Sequence, residues 1–261
     1  MIVTTKRIEY KYGQTFKLKP IADVHLGARA CDQKAFKAYL ADSDEDTYFI
    51  GIGDLYDGIS VKDKRYDISS DGMDGDDTLD QQIDLGCKLL EPYKDRLLGL
   101  AVGNHERTNI RGGTNMIKRT CRRLGVENLG YSGLLKLVFS ENGSRGRTVV
   151  LRYHHGWGGG SRTLGADLTK FSRDIAYWDA NIFLYGHVHR RQTASQPRLS
   201  IKGEELIARD TVLCICGTFL KTYMDSTDAT YSEVCGYPPV SVGGLTVSIK
   251  PTDDWVSIKV Q

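Results

Sequence analysis

The chain has 261 residues, 40% of them hydrophobic and 26% charged, with a net charge of +2. That is the composition of a globular protein with a sizeable core, and it excludes collagen-like, low-complexity and disordered chains. With Lys and Arg nearly balanced by Asp and Glu, bulk charge excludes a polybasic nucleic-acid or membrane binder, so any such attraction must come from local clustering. No run approaches the roughly 18 apolar residues of a membrane span, and residues 1–7 lack a signal-peptide core, so a cytoplasmic protein with no membrane partner is expected.

In chain order, apolar runs bounded by turn residues read as strands over 16–24, 47–53, 97–102, 148–154 and 182–185. Between them, helical spacing places Phe36, Tyr39 and Leu40 on one face, Leu79, Ile83 and Leu90 on another, and Leu168, Phe171, Ile175 and Trp178 on a third. This alternation is that of an α/β protein. After Arg190 the pattern shifts to short β-rich segments at 211–215, 245–249 and 255–260, which predicts a second, largely antiparallel sheet. No long linker or repeat divides the chain, so one domain over 1–261 is expected. The six cysteines form no metal or disulfide spacing. Cys214 and Cys216 fall on one face of an apolar strand, where packing is their expected role. The acidic stretch 63–80 lacks calcium-loop spacing and reads as a solvated loop.

All six histidines, His25, His105, His154, His155, His187 and His189, fall at or just beyond predicted strand ends, beside Asp, Asn, Gly or another His. Loops leaving the carboxyl ends of parallel strands converge on one crevice, so a shared metal site is the leading reading. Imidazole with carboxylate or amide oxygen suits divalent manganese, iron, zinc or nickel. Asp54 is the candidate bridge between two such ions. Two cations about 3.5–4 Å apart can hold an activated hydroxide and stabilise both oxygens of a phosphoryl displacement.

Five ordered blocks, Asp23-x-His25, Gly53-Asp54-x-x-Asp57, Gly103-Asn104-His105-Glu106, His155-Gly156 and Gly186-His187-x-His189, resemble the calcineurin-like metallophosphoesterases over about residues 16–192. The resemblance implies a four-layer αββα sandwich of two packed mixed β-sheets flanked by helices. It also implies that Asp23, His25, Asp54 and His189 hold one ion, and that Asp54, Asn104, His187 and either His154 or His155 hold the other. His155 is preferred because it directly precedes glycine, and the reverse assignment stays open. Two divalent ions, manganese first and iron, zinc or nickel as alternatives, would then be the cofactors. By the same resemblance His105 would serve the leaving-group oxygen, with Asp57 as its orienting partner, while Glu106 would support the loop.

Within that family, Leu26 and Gly58 depart from the serine/threonine phosphatase pattern, which has glycine directly after the histidine and arginine after the second aspartate. A phosphodiester, in a nucleic acid or a nucleotide, is therefore preferred to a phosphomonoester or phosphoprotein. Arg107, Arg111, Lys118, Arg119, Arg122 and Arg123 form the densest basic stretch, able to track a nucleic-acid backbone or to serve as a solvated helix face. The glycine-rich segment 156–162 could bring backbone amides and Arg162 to a phosphate, and Arg107 is a second candidate contact. The competing class is a non-catalytic scaffold with this fold.

Overall fold

The computed structural model describes residues 1–11, 13–59, 78–141, 146–225, 229–252 and 255–261. In chain order the elements are β1 (Ile2–Glu9), β2 (Phe16–Ala22), α1 (Gln33–Ala41), β3 (Thr47–Gly53), α2 (Thr78–Leu90), β4 (Leu97–Leu100), α3 (Asn104–Arg111), α4 (Met116–Leu124), β5 (Ser132–Ser140) and β6 (Arg147–His154). They continue with α5 (Ala166–Ser172), β7 (Ile182–Tyr185), β8 (Arg191–Ser195), β9 (Arg198–Lys202), β10 (Glu205–Arg209), β11 (Val212–Cys216), the single turn α6 (Tyr231–Val234), β12 (Val247–Pro251) and β13 (Val256–Val260).

The nearly unbroken apolar runs of β3, β4, β7 and β11 are buried throughout most of their length, as strands covered on both faces must be. They belong to two mixed sheets, ordered β1-β5-β6-β7-β11-β8 and β13-β12-β2-β3-β4, in which β3, β7 and β11 are interior and β4 is an edge strand. Phe16, Leu18, Ile50 and Ile52 of the second sheet meet Leu135, Phe139, Leu151 and Leu184 of the first in one buried cluster. On the outer face of the second sheet, Phe36 and Leu40 of α1, Ile83 of α2 and Ile117 of α4 pack with Phe49 and Leu100. On the outer face of the first, Phe171 of α5 stacks on Tyr185 at 4.5 Å between ring centroids, beside Leu213 and Ile215. The layers are helix, sheet, sheet and helix.

Capping residues fix the helices where the local sequence supplies them. Asp32 accepts from Ala35 N at 2.9 Å to start α1, and Asn115 accepts from Lys118 N at 2.8 Å to start α4.

The residues after Arg190 do not build a sheet of their own. β11 runs parallel to β7 and brings β8 with it, while β12 lies antiparallel to β2 and carries β13. Only β9 and β10 stand apart, as a two-stranded hairpin. The reason is burial, because β11 is apolar on both faces and can be covered only inside an existing sheet. Cys214 and Cys216 are buried in the core between the sheets, consistent with packing. Of the acidic stretch, residues 63–77 lie outside the described residues, and Asp80 pairs with Arg119 at 2.5 Å. No helix among the described residues is long and apolar enough to cross a membrane.

Phe139 is fully buried, and its ring lies 4.8 Å from that of Phe16 on the opposite sheet. Phe139→Ala is expected to cost about 3–5 kcal/mol, the usual loss for a large aromatic deleted from a core, read from urea denaturation midpoints.

Candidate metal centre

Five loops leave the carboxyl ends of strands on the same edge of the two sheets. Asp23 and His25 follow β2, Asp54 and Asp57 follow β3, Asn104 and His105 open α3 after β4, His155 follows β6, and His187 and His189 follow β7. Asp23, His25, Asp54, His187 and His189 all hold φ between 49° and 74°, the left-handed region that non-glycine residues seldom occupy. Such strain costs on the order of 1–3 kcal/mol per residue and collects where surrounding structure forces side chains toward a site.

Three donor groups result among the described residues, one of them His25, Asp57 and His105, and the other two carry the residues expected to hold ions. In the first, Asp23, His25 and His189 gather, with the Nε2 atoms of the two histidines 3.1 Å apart and His189 Nε2 at 3.5 Å from Asp23 Oδ1. In the second, Asp54, His155 and His187 gather around Asn104. His155 Nε2 is 3.1 Å from Asp54 Oδ2 and 2.8 Å from Asn104 Oδ1, and His187 Nδ1 is 2.7 Å from the same Asn104 oxygen. His155 Nδ1 lies 3.1 Å from the carbonyl of Ile52, which fixes the ring with Nε2 toward the cluster.

His154 goes elsewhere. Its Nδ1 accepts from Gly156 N at 2.8 Å and its ring meets Tyr131 and Trp157 edge-on, so it is not brought to the donors. Successive residues of a strand point to opposite faces, and here that alternation separates the two histidines.

Burial shapes the charge of the cluster. It pushes the pKa of Asp23 well above the carboxylate range, and it lowers those of His25, His187 and, most strongly, His189, with neighbouring histidines adding to the effect. Asp54 is equally buried, but the positive charge of His155 and His105 outweighs burial and holds its pKa well below the usual range. Burial likewise opposes protonation of His155, yet Asp54, Asp23 and Glu106 raise its pKa to about 9. Asp54 is thereby held as a carboxylate and His25, His187 and His189 are disposed to be neutral, the forms in which these groups ligate metals, whereas Asp23 and His155 shift the other way.

The donors fit a divalent cation on structural grounds as well. Asp23 Oδ1 is buried and accepts no hydrogen bond, although Asp23 Oδ2 accepts from His187 N at 2.8 Å. An oxygen left this way is costly unless a cation or donor completes it.

Glu106 braces the site from beneath. Fully buried, it accepts from Asp54 N at 3.1 Å, Tyr56 N at 3.0 Å and Gly103 N at 2.7 Å, tying the β3 loop to the β4 loop. Burial and the charge of Asp54 raise its pKa to about 7. Gly103 permits the close approach, since a Cβ there would meet Asp54 Oδ1 at 2.0 Å. Asp57 sits between two rings, with Oδ1 3.3 Å from His25 Nδ1 and 3.7 Å from His105 Nδ1.

A cavity of about 350 Å³ opens above these donors. His25, Asp54, Asp57, Asn104, His105, His187 and His189 line one end of it. Neither arginine expected at a phosphate lines it. Arg107 is exposed and covers the Tyr131 ring at 5.7 Å, and Arg162 is exposed outside the lining. Residues 158–161 of the glycine-rich segment do line it, but the Ser161 amide is engaged by the Asp167 carboxylate at 3.1 Å. The cations that do line it are Arg29, Arg190 and Lys221, none of them within a motif block. Arg29, four residues past His25 on the same loop, was the one within reach of sequence reasoning.

No protein-family model matches the chain, and no curated protein matches it. Among solved structures it is similar to vacuolar protein sorting 29 from Cryptosporidium parvum, at 14% identity over 96% of this chain and 98% of that one, with a TM-score of 0.37. It is also similar to a zinc complex of the same kind of protein from Entamoeba histolytica, at 12% identity over 94% and 98%, TM-score 0.37. A metallophosphoesterase from Sphaerobacter thermophilus shares 10% identity over 94% and 88%, TM-score 0.37. Likenesses of this size carry no argument about ligand or activity. The helix, sheet, sheet and helix layers, and the strand ends from which the donors leave, agree with what the resemblance of the five ordered blocks implies.

Two outcomes are expected from metal analysis of purified protein. His155→Ala should lose bound metal while His154→Ala keeps it, measured by elemental analysis after dialysis. Glu106→Gln replaces one of the two acceptor oxygens with a donor, so one buried N–H loses its partner; a destabilisation of about 1–3 kcal/mol is expected in thermal melts, together with weaker metal retention.

Proposed function

We propose that the chain, acting as one domain over residues 1–261, is a phosphoesterase using two divalent metal ions and cleaving phosphodiesters. The observation that supports the reading is the gathering of Asp23, His25 and His189 in one donor set and of Asp54, His155 and His187 in another, with Asp23 Oδ1 buried and accepting no hydrogen bond; Asp54 would bridge the two ions. Asp23, His25 and His189 would hold one ion, and Asn104, His155 and His187 the other. Manganese, iron, zinc and nickel all suit this oxygen and nitrogen set. When bound, two such ions supply Lewis acidity toward phosphoryl oxygens and a nucleophile at neutral pH.

The chain's own groups then orient and protonate. His105 lines the cavity with Nδ1 2.5 Å from the Asp57 carbonyl, so in its protonated form the opposite ring nitrogen can deliver a proton to the departing oxygen. Asp57, beside His25 and His105, fixes the orientation of both. The His105 amide donates to Asp54 Oδ1 at 2.9 Å, so the helix that would carry the proton donor is registered on the carboxylate proposed to bridge the ions.

Gly58 supports a diester substrate over a phosphoprotein. It stands where the phosphatase pattern has arginine, at φ 61°, and a Cβ there would meet Asn109 Nδ2 at 2.5 Å. Asn109 donates to the Gly58 carbonyl at 2.7 Å, which closes the position to a long cation.

The test compares bis(4-nitrophenyl) phosphate with 4-nitrophenyl phosphate, for wild type and Asp54→Asn, across manganese, iron, zinc and nickel. Metal-dependent cleavage favouring the diester is expected, falling at least about 100-fold in Asp54→Asn, since even outer-shell partners of metal ligands are worth about 10–100-fold. Folded, metal-loaded protein that turns over neither ester would sink the reading and leave the scaffold class.

A further inference from the structure

We infer that the cavity selects a small phosphodiester carrying a flat aromatic group, such as a nucleobase, which stacks on the ring of one of Tyr231 and Tyr237 and meets the other, while Arg29 meets the phosphate. This rests on the phosphodiesterase reading and adds the substrate class to it.

The cavity has two chemically distinct linings. Besides the donors, residues 220–225 and 229–240 contribute Met224, Tyr231, Tyr237, Pro238 and Val240 to it. Tyr231 and Tyr237 are 61% and 44% exposed, and their ring centroids lie 6.3 Å apart at 70°. Two neighbouring tyrosines turned to an open cavity, rather than packed into a core, offer aromatic surface for a planar group. A volume of about 350 Å³ places the cavity in the range of small-molecule sites.

The aromatic wall is held in place relative to the donors. Phe219 N and Thr218 Oγ1 donate to the Asp23 carbonyl at 2.9 and 2.8 Å, and Lys221 N donates to the Ala30 carbonyl at 2.9 Å. Within the segment, Tyr223 donates through its hydroxyl to the Tyr237 carbonyl at 2.9 Å, and Val240 N donates to Thr222 Oγ1 at 3.2 Å. Thr230 caps the turn bearing Tyr231, accepting from Glu233 N at 3.1 Å.

The cations distinguish a small ligand from a polymer. Lys221 pairs with Asp32 at 3.2 Å, and Arg190 with Asp167 at 3.5 Å. Arg29, among the described residues, has no ion pair or side-chain hydrogen bond, and it lines the cavity on the loop that carries His25. A polymer would need a basic track leading in. The stretch on α4 does not supply one, because none of Lys118, Arg119, Arg122 and Arg123 lines the cavity, and Arg119 and Arg123 pair with Asp80 and Asp84 of α2.

The experiment uses two diesters with the same leaving group, thymidine 5′-(4-nitrophenyl) phosphate and methyl 4-nitrophenyl phosphate, with metal-loaded full-length protein. The ratio of their kcat/KM values is expected to favour the thymidine ester by about 5- to 150-fold, the range that stacking one base supplies. Tyr231→Ala and Tyr237→Ala should each shrink that ratio and Tyr231→Phe should preserve it, because the ring face rather than the hydroxyl makes the contact. Arg29→Ala should lower kcat/KM for both esters and leave the ratio in place. Ile201→Ser, on the β9–β10 hairpin outside the lining, is the control expected to leave both rates unchanged. A wild-type ratio near one, or a ratio that survives the loss of both tyrosine rings, overturns the inference while the phosphodiesterase reading stands. No turnover of either ester overturns the phosphodiesterase reading and this inference with it.

Discussion

A single buried carboxylate, that of Asp54, is where the loops of both sheets are joined. One of its oxygens accepts from the His105 amide and the other faces His155 Nε2, while its own amide is held by Glu106. Three strand ends, those of β3, β4 and β6, are thereby registered against one another. The concentration of unlike groups makes this stable. Burying a carboxylate alone would raise its pKa and neutralise it, but the charge of His155 and His105 reverses that tendency and keeps Asp54 ionised. Glu106, buried beside it, carries the opposite consequence, since the charge of Asp54 pushes its pKa up to about 7.

The backbone bears the cost of this arrangement. Five donor residues adopt left-handed φ, and none is a glycine. Each would relax if its loop were free, so the strain persists only because hydrogen bonds from elsewhere over-determine the loops. Asp23 illustrates this, because its carbonyl accepts from Phe219 and Thr218 while its Oδ2 accepts from His187 N. The segment after β11 thus holds a loop that lies almost two hundred residues earlier in the chain. A cation at Asp23 Oδ1 would complete the one oxygen of that side chain which the protein leaves without a donor.

Much of this was legible in the sequence because it is local. A polar residue or histidine directly after an apolar run marks a strand end, and the strands over 47–53 and 182–185 lie where the apolar runs placed them. The preference for His155 over His154 came from the glycine that follows it and the resemblance, not from the strand pattern, because the choice depends on which face of β6 looks toward the second sheet. β1 was hidden for another reason. Its exposed edge carries Lys6, Arg7 and Glu9, so it reads as polar although Ile8 reaches the core. Pairing was beyond reach after Arg190, since short apolar strands carry no record of which sheet covers them. The phosphate contacts misled for a physical reason as well. Arg107 and Arg162 adjoin motif residues in sequence, but neither lines the cavity, Arg107 lying over the Tyr131 ring.

The C-terminal part has no motif, yet it has the largest say in what the cavity can admit. On the phosphoesterase proposal, donors at strand ends would meet phosphorus and its oxygens, which every phosphate ester shares, and would not by themselves discriminate among esters. Discrimination needs surface that touches the rest of the substrate. Here that surface is the wall formed within residues 220–225 and 229–240, largely apolar and aromatic where the donors are charged. Its attachment to the Asp23 and Ala30 carbonyls means that a ligand pressing on the wall presses on the donor loop too. Substrate selection and donor geometry are therefore mechanically linked, and a change in the wall should register at the donors even where it removes none of them.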